Sequence, residues 1–366
     1  MKSIFFVTST LTSGGSERVM SLLANELANR RYRVTIICLN KQIVFYPINE
    51  NVRIIFAERE TKSTFLLKKI FWLRKYVDGD RPDVVIPFME AVYCVTLFAL
   101  IGIKVPVISS ERIDPRKSPY VRNILRRFFL PLTSHLVVQT EKIKNFYPSF
   151  IRKKTCVIYN PVNDSVFNLP SLQGRVGERL NRIISIGKLY PQKNQEMMIR
   201  AFAKIADEFP DWQLVIFGEG PLRSSLELIV KSLQLEGRVL LPGRTEQVID
   251  ELGKSKMFCF SSNFEGMSNA IIEAICVGLP IVSTNVSGAS ELIGEGKGGY
   301  IVPCGDVNQF AQALQKVMSD HVIQESMSEY NLKKASMFKL DIIVDQWEQL
   351  IKQVVQGNNF NYGKRD

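Results

Sequence analysis

Short apolar runs alternate with amphipathic stretches along most of this 366-residue chain. Runs rich in β-branched and aromatic residues, bounded by polar residues, predict strands in the first half. They cover Ile4–Thr8, Val34–Leu39, Val84–Phe88, Val105–Ser109 and Leu136–Val138, with Ile54–Phe56 as a further candidate. Helical patterns between them cover residues 16–30, 64–78, 90–101, 117–130 and 140–147. This alternation predicts a parallel sheet with helices on both faces.

The alternation of strand and helix patterns stops between Val162 and Leu180, where Asn, Asp, Pro and Gly are frequent, and resumes after Leu180. Strands are predicted near 182–187, 213–217, 238–241, 256–261, 280–284 and 299–302. Helices are predicted near 193–208, 220–234, 246–253, 268–277 and 306–318, with one last helical pattern from about 321 to 356. We therefore predict an α/β protein with two doubly wound, Rossmann-like domains. The expected parts are an N-terminal domain (1–165), a linker (166–180), a C-terminal domain (181–320) and a terminal helix and tail (321–366), which is free to return to the first domain.

Composition is that of a globular protein, with 46% hydrophobic and 23% charged residues. Six cysteines lie scattered without a C-x-x-C pair, and the chain has only two histidines, so we expect reduced thiols and no histidine-rich metal site. The N-terminus lacks a signal-peptide pattern, and no apolar stretch reaches the roughly 20 residues that span a bilayer. We expect a cytoplasmic protein.

Positive charge is concentrated in the first half. Residues 1–165 contain 26 Lys and Arg against 13 Asp and Glu, whereas the other residues contain 21 against 23. This asymmetry predicts that the first half faces something anionic: nucleic acid, a phospholipid surface or a phosphorylated substrate.

The loop after the first predicted strand contains Gly14 and Gly15 immediately before a helix. Paired glycines allow close backbone approach, and a helix N-terminus offers free N–H groups to a phosphate. An ordinary glycine-containing turn is the alternative. The G-x-G-x-x-G and G-x-x-x-x-G-K-[ST] patterns are absent, which argues against NAD binding and against a P-loop NTPase.

A second loop, after the strand that ends near Ser261, carries Glu265 and Gly266 before a helix that contains Glu273. Backbone N–H groups at the helix start suit a diphosphate, and carboxylates accept hydrogen bonds from the hydroxyl pairs of ribose and sugar. A nucleotide sugar needs these groups together. The alternative is a pair of surface glutamates beside a helix cap.

Two cations, Lys188 and Lys193, occupy the loop after the first strand of the same domain. Because loops at the carboxyl ends of parallel strands share one sheet edge, these lysines could neutralise a diphosphate beside Glu265. Solvated loop lysines are the alternative.

Three motifs together resemble glycosyltransferase family 4. Glu265 and Glu273 are spaced as in the E-x7-E motif of retaining GT-B enzymes, the segment that starts at Gly187 resembles the family's G-R-L-x3-K-[GN] loop, and the segment that starts at Ser13 resembles its G-G-A-E-R loop. The motifs follow the family order along the whole chain. The resemblance implies a GT-B fold, with two Rossmann-like domains facing a cleft, and is greatest to bacterial enzymes that extend undecaprenyl-diphosphate-linked glycans for O-antigen, capsule or glycoprotein assembly.

The family resemblance also implies residue roles. Lys188 and Lys193 would hold the diphosphate and stabilise the UDP leaving group, Glu265 would contact the transferred sugar, and Glu273 would hold the ribose hydroxyls. Further donor-binding positions implied in this way are Gly15, Arg244, Thr245, Gly266, Met267, Ser268 and Asn269. The chain departs from the family at Lys188, where Arg is usual, and at Arg112, where relatives often have His after Ser110-Glu111. Glu111 or Arg112 would instead contact the sugar or the acceptor.

A basic amphipathic segment, residues 64–77, combines apolar bulk with Lys68, Lys69, Arg74 and Lys75. A second basic cluster runs from Arg116 to Arg127. Such segments dock on anionic lipid headgroups or bind a pyrophosphate-linked acceptor. A core helix with a solvated basic face is the alternative.

Asp78-Gly79-Asp80 matches the D-x-D metal motif of another glycosyltransferase fold, but here it precedes a predicted strand in a turn-forming segment. We expect no metal and no other cofactor, because lysines would balance the diphosphate.

The sequence therefore predicts a retaining, metal-independent glycosyltransferase at the inner face of the bacterial plasma membrane. It would move a hexose or N-acetylhexosamine from a UDP-sugar to an undecaprenyl-diphosphate-linked glycan, and we expect no nucleic-acid partner. The alternatives are a UDP-sugar epimerase or hydrolase of the same fold, and a basic nucleic-acid-binding protein.

Overall fold

The computed structural model describes residues 1–40, 43–168 and 179–362, and it divides into two compact units. The first unit combines Met1–Pro161 with Leu340–Asp366, and the second is Val162–Lys339. The first boundary thus falls four residues before the predicted one at residue 165, and residues 321–339 join the second unit. The predicted linker lies largely outside the described residues; its visible start belongs to a 3₁₀ helix, Asp164–Asn168.

Parallel strands form the centre of the first unit: β1 (Ser3–Thr8), β2 (Arg33–Cys38), β3 (Arg53–Phe56), β4 (Val84–Pro87), β5 (Ile108–Ser110), β6 (His135–Val138) and β7 (Thr155–Val157). Hydrogen bonding gives the orders β3-β2-β1-β4 and β5-β6-β7. Parallel bridges from Val85 to Val107 and from Phe88 to Ser110 connect β4 to β5. The described strands therefore share one carboxyl edge.

The helices of the first unit are α1 (Gly15–Asn29), α2 (Ala57–Thr61), α3 (Leu66–Asp80), α4 (Glu90–Ala99), α5 (Tyr120–Phe129), α6 (Glu141–Lys144), α7 (Ser149–Arg152) and α15 (Leu340–Tyr362). Alternate residues of β1 divide the core: Ile4 and Phe6 pack with α1 and α15 side chains, whereas Phe5 and Val7 pack with those of α3 and α4. The period of two in a buried strand produces these two apolar layers.

The second unit contains β8 (Leu180–Ile186), β9 (Gln213–Phe217), β10 (Val239–Gly243), β11 (Ser255–Phe260), β12 (Ile281–Thr284) and β13 (Gly299–Val302). Their order, β10-β9-β8-β11-β12-β13, is the 3-2-1-4-5-6 order of a doubly wound dinucleotide-binding sheet. Its helices are α8 (Gln195–Ala203), α9 (Arg223–Ser232), α10 (Val248–Gly253), α11 (Asn269–Cys276), α12 (Ala289–Ile293), α13 (Val307–Ser319) and α14 (His321–Ala335). The predicted fold class is confirmed.

The last helical pattern is two helices, which corrects the prediction of one helix over 321–356. A 3₁₀ turn, Ser336–Phe338, separates α14 from α15, and the carbonyl of Phe338 accepts a hydrogen bond from the N–H of Val162. The break allows α14 to pack on α11 in the second unit, while α15 packs on the first. There Trp347 stacks on Phe88, with ring centroids 6.1 Å apart.

Candidate active site

The carboxyl edge of the second sheet collects the predicted donor-binding loops. The loops after β8, β9, β10 and β11 leave this edge side by side because the strands are parallel and β9, β8 and β11 are neighbours. The structure therefore brings Lys193 of the β8 loop to Glu265 of the β11 loop, whereas the exposed side chain of Lys188 makes no contact with that carboxylate in the described structure.

Lys193 and Glu265 form an ion pair at this edge. The Nζ of Lys193 lies 2.6 Å from Oε1 of Glu265, and both side chains are partly buried. The same ammonium group lies 5.2 Å from the ring centroid of Phe260, the last residue of β11. The ion pair and the aromatic face together hold the Lys193 ammonium in place.

The backbones of the two loops are also tied together. The carbonyl of Lys193 accepts a hydrogen bond of 2.8 Å from Oγ of Ser261, and the carbonyl of Gln192 accepts one of 2.8 Å from the N–H of Asn263. The side-chain amide of Gln192 donates to the carbonyl of Phe264, also at 2.8 Å. These bonds position Lys193 and Glu265 before any substrate arrives.

Lys188 has an exposed side chain on a fixed backbone. Its carbonyl accepts a hydrogen bond of 3.0 Å from the side-chain amide of the buried Gln195. Gly218 packs so closely that a Cβ there would overlap the carbonyl of Gly187, and its φ of 152° is one that glycine tolerates. Sequence reasoning missed Gln195 and Gly218; the Gly218-Glu219-Gly220 pattern after β9 was the available signal.

The N-terminus of α11 follows Glu265 directly. Ser268 caps it, since its Oγ accepts from the N–H of Ile271 at 3.4 Å, and Gly266 and Met267 are buried. Asn269 is the first helical residue, and Glu273 lies one turn further, with its side chain 3% exposed. The predicted loop-to-helix step is thus where the sequence placed it, and its leading N–H groups adjoin the Lys193–Glu265 pair.

Arg244 and Thr245 follow β10 at the same edge. The Arg244 side chain is exposed, and Oγ1 of Thr245 accepts a hydrogen bond of 3.0 Å from the N–H of Gln247, which fixes the turn. The carbonyl of Gly243 accepts from the N–H of Gly218, so this loop is tied to the β9 loop.

Gly15 lies in the first unit, where it begins α1. Glu17 folds back over Gly14 and accepts hydrogen bonds from the hydroxyls of Thr10 (3.0 Å) and Ser16 (2.6 Å). This carboxylate, which the sequence analysis did not single out, therefore holds the β1 loop closed on itself.

The structure corrects the expectation for Glu111. Its side chain is fully buried, and Oε2 accepts hydrogen bonds from Nε of Arg126 (2.9 Å) and from the hydroxyls of Tyr93 (2.9 Å) and Tyr147 (3.0 Å). Burial, together with the Glu111 charge, raises the pKa of both tyrosines well above its usual value. Glu111 thus belongs to an internal ion network rather than to an acceptor surface.

Arg112 is also buried, next to this network. Its Nη1 donates to Oδ1 of Asn160 at 2.8 Å, and its guanidinium lies 4.4 Å from the ring centroid of Phe88 and 6.0 Å from that of Trp347. Burial lowers the pKa of Arg112 to about 9, although the charge of Glu111 opposes the shift.

Only some of the cations in the basic segment of α3 are exposed to solvent. Lys68 and Lys75 are exposed, as predicted, and lie two turns apart. Lys69 is buried: its Nζ donates to Oδ1 of Asn40 at 2.7 Å and lies 4.0 Å from a carboxylate oxygen of Glu58. Its assignment to the acceptor or membrane surface is therefore corrected.

Arg74 of α3 is exposed but is partly engaged by backbone carbonyls. Its Nη1 donates to the carbonyls of Ala99 (2.8 Å) and Ile101 (2.7 Å), so the guanidinium caps the end of α4 rather than standing free. In the second basic cluster, Arg126 is buried in the Glu111 network.

Exposed apolar side chains accompany the remaining cations. The start of α3 and the exposed side of α5 carry large apolar residues that are 39–79% exposed: Phe65, Leu66, Leu67, Phe71, Tyr120, Val121, Leu125 and Phe128. Both helices pack against α4. No helix in the described ranges is long and apolar enough to cross a membrane.

Metal ligands do not cluster in the part of the chain that the structure describes: no group of three or more His, Cys, Asp or Glu side chains could hold an ion. Asp80 of the D-x-D sequence lies at the end of α3, 3.6 Å from Arg33.

Two family models cover most of the chain. Residues 13–166 match the model described as Glycosyltransferase Family 4, and residues 173–334 match the one described as Glycosyl transferases group 1. The boundary between the two matches falls near the boundary between the two compact units.

Two relatives from Campylobacter jejuni match nearly full length. The "GalNAc-alpha-(1->4)-GalNAc-alpha-(1->3)-diNAcBac-PP-undecaprenol alpha-1,4-N-acetyl-D-galactosaminyltransferase" is 30% identical over 97% of this chain and 99% of its own. The "N-acetylgalactosamine-N,N'-diacetylbacillosaminyl-diphospho-undecaprenol 4-alpha-N-acetylgalactosaminyltransferase" is 27% identical over 93% of this chain and 97% of its own. Among solved structures, HepE from Anabaena in complex with UDP and glucose has a TM-score of 0.80 at 17% identity, covering 95% of this chain and 99% of HepE. At that identity, the structural likeness shows the fold.

Proposed function

Because this chain belongs to glycosyltransferase family 4 and has the GT-B fold, we propose that it transfers a hexose or N-acetylhexosamine from a UDP-sugar to a glycan on undecaprenyl diphosphate, with retention of configuration. The observation that carries the donor half of this proposal is the convergence of Lys188, Lys193, Glu265 and the α11 N-terminus at one sheet edge. That set contains the charges and N–H donors that a sugar diphosphate requires.

Each donor group has a role in the proposal. Lys188 and Lys193 bind the diphosphate, together with the N–H groups of Met267, Ser268 and Asn269 beside Gly266. Glu273, buried on α11, accepts from the ribose hydroxyls, and Glu265 contacts the transferred sugar. The backbone at Arg244 and Thr245 contacts the base. Gly15, at the start of α1 in the first unit, contacts a substrate phosphate.

The transfer step needs no dedicated protein base. The C1–O bond to UDP breaks as an acceptor hydroxyl forms the new C1–O bond from the same face, and the departing phosphate oxygen takes the hydroxyl proton. Negative charge grows on the diphosphate, where Lys188 and Lys193 stabilise it. A fixed Lys193 loop suits this role, because a preorganised cation has little to rearrange during the reaction.

The acceptor half of the proposal is supported by the relatives. Both Campylobacter enzymes are named for undecaprenol-linked glycans that they extend with N-acetylgalactosamine. The exposed cations and apolar residues of α3 and α5 suit the same setting, since such helices bind the surface of an anionic membrane. We propose that the enzyme works at the cytoplasmic face of the membrane, and that Lys188 and Lys193, rather than a metal ion, balance the diphosphate.

A donor–acceptor matrix tests the proposal. Purified protein is given radiolabelled UDP-GalNAc, UDP-Gal, UDP-Glc or UDP-GlcNAc with bacterial lipid extract, with and without EDTA. We expect the label to enter the organic phase with one donor, at an unchanged rate in EDTA. Label in free sugar or in an epimerised donor without lipid would indicate a hydrolase or epimerase, and tight binding of duplex DNA without UDP binding would reject a glycosyltransferase.

A further inference from the structure

The carboxyl edge of the first sheet holds a cluster of buried polar side chains from successive loops. Arg112 follows β5, Gln139 follows β6 and Asn160 follows β7, while Trp347 reaches the same place from α15. Oδ1 of Asn160 accepts hydrogen bonds of 2.8 Å from both Arg112 and Gln139. This is the edge at which open α/β sheets bind ligands.

Buried hydrogen-bonding atoms remain unused in this cluster. In the described structure, Nε and Nη2 of Arg112, Oε1 of Gln139 and Nε1 of Trp347 have no hydrogen-bond partner. Buried polar groups without partners are uncommon because each costs free energy. Several at one sheet edge indicate that the site is built for a group that is not part of the chain.

Arg112 also lacks an ion-pair partner among the described residues. Two buried acids lie nearby, Glu90 and Glu111, but their cations are Arg126 and Arg122: Arg126 lies 2.9 Å from Glu111 and 4.0 Å from Glu90, and Arg122 lies 3.6 Å from Glu90. None of the ion pairs among the described residues includes Arg112. Arg122 is half exposed, so the buried charges are two acids and two arginines, and Arg112 is the one of these four that makes no ion pair. Burial lowers its pKa, although the charge of Glu111 opposes the shift.

Two aromatic rings lie against the guanidinium group of Arg112. The guanidinium lies over Phe88 and near Trp347, so its face is occupied while the N–H groups in its plane remain available. A planar fork of N–H donors matches the oxygens of a carboxylate or a phosphate. A neutral hydroxyl would leave Arg112 without an ion-pair partner.

From these observations we infer that the free N–H groups of Arg112 and Trp347 form an anion subsite that takes a carboxylate or phosphate group of a substrate. Asn160, which accepts from both Arg112 and Gln139, holds the guanidinium in place. The inference rests on the proposed glycosyltransferase function for what the anion belongs to: a uronate carboxylate on a sugar, or the phosphate of a diphosphate-linked substrate. Arg112 is then a specificity-determining contact in the first unit.

Trp347 provides a local reporter for this subsite. The chain has three tryptophans, so the variant Trp72→Phe/Trp212→Phe keeps only the ring beside Arg112. Its fluorescence is titrated with sodium pyrophosphate and with sodium glucuronate, and glucose and sodium chloride serve as neutral and ionic-strength controls. We expect a saturable change with at least one of the anions and none with the controls. A pyrophosphate response identifies a phosphate ligand, and a glucuronate response identifies a carboxylate ligand.

Arg112→Gln in the single-tryptophan protein should weaken that response roughly 10- to 100-fold, as expected for loss of a hydrogen-bonded charge. Arg112→Lys keeps the positive charge but loses the planar pair of N–H donors, so its affinity for the anion should lie between those of the parent and Arg112→Gln. This second variant tests the inference if the glutamine variant fails to fold. The exposed Arg53→Gln is the matched control and should respond like the parent. The inference is overturned if neither anion gives a saturable change, or if both Arg112 variants respond like the parent.

UDP binding tests the proposed function independently of the anion subsite. Lys193→Ala should weaken UDP binding in the second unit and leave the Trp347 response to anions intact. Intact UDP binding and sugar transfer without an anion response would reject only the subsite, whereas an anion response in a protein that does not bind UDP would reject only the proposed function.

Discussion

The ammonium of Lys193 and the carboxylate of Glu265 lie 2.6 Å apart. They come from loops that follow neighbouring strands, β8 and β11, and are 72 positions apart in sequence. The cation assigned to the leaving group and the acid assigned to the sugar are thus paired before the donor binds. A bound diphosphate would compete with Glu265 for Lys193, so replacing either residue should change both UDP binding and sugar transfer.

Replacing Lys193 should reduce catalysis with little effect on the fold. In Lys193→Ala the diphosphate loses a positioned cation, so we expect turnover to fall about 100- to 1000-fold, as for other lost charge-stabilising donors. Lys188→Ala should change in the same direction. Steady-state transfer of labelled sugar measures both, and the exposed Lys204→Ala in the same unit is the control. Unchanged turnover in either loop variant would contradict its assigned role.

Replacing Glu265 should separate binding from turnover. Glu265→Gln removes the negative charge that competes with the diphosphate, so UDP should bind several-fold more tightly while sugar transfer falls. Isothermal titration with UDP and the transfer assay give the two readouts. Glu196→Gln on α8 is exposed and serves as the control. Weaker UDP binding in Glu265→Gln would mean that the carboxylate supports the nucleotide rather than the sugar.

Local pattern predicted most of the fold, because long buried strands and amphipathic helices have clear periods. It missed β7, α2, α7 and α12, which have three to five residues each and are too short to show a period. In the candidate site, the spacing of Glu265 and Glu273 was informative because strand, loop and helix are contiguous.

Residues whose partners are distant in sequence could not be interpreted in this way. Lys69 resembles its exposed neighbour Lys68, and only the fold shows that Asn40 and Glu58 surround it. Glu111 likewise follows the carboxyl end of a strand, which is where ligand contacts are expected. Its side chain is instead enclosed by Tyr93, Arg126 and Tyr147, which lie on three other segments of the chain. Gln195 fixes Lys188 through a side-chain-to-backbone bond that has no sequence signature.

The Glu111 network should contribute to stability rather than to acceptor affinity. Glu111→Gln leaves Arg126 as a buried cation without its closest carboxylate, so we expect a loss of about 3–5 kcal/mol in the free energy of unfolding. Urea-induced unfolding measures the loss. The surface variant Glu141→Gln, whose pair with Lys144 is partly exposed, should change stability by less than about 1 kcal/mol. A normal unfolding midpoint with an increased KM for the acceptor would restore Glu111 as a substrate contact.

Thiol labelling should identify Cys304 as the reactive cysteine. It is the exposed member of the six, whereas Cys38 is buried and its pKa is raised to about 11 by desolvation. The half-buried Cys156 is also shifted to about 11 by burial. A raised pKa means little thiolate near pH 8, so these thiols should react slowly and faster as pH rises. Iodoacetamide labelling with peptide mapping should find one fast site, and Cys304→Ser should remove it; rapid labelling of Cys38 would contradict its burial.

Anionic membranes should bind the first unit through the exposed cations of α3. A basic residue near an anionic leaflet contributes about 1 kcal/mol, so Lys68→Gln/Lys75→Gln should weaken vesicle binding roughly 30-fold. The exposed apolar residues of α3 and α5 remain in this variant, and they should keep a residual affinity that is insensitive to salt. Co-sedimentation with phosphatidylglycerol vesicles, compared with phosphatidylcholine vesicles, measures both parts.

The matched control removes two exposed lysines from the second unit. Lys231→Gln/Lys297→Gln changes net charge by the same amount, so it separates a local contact on α3 from a general effect of charge. Binding by the control variant should equal that of the parent protein, because screening limits long-range attraction to about 8 Å at physiological salt. Equal loss in the two double variants would show that net charge, not the α3 surface, carries the attraction, and the acceptor would then have to reach the enzyme without membrane docking through α3.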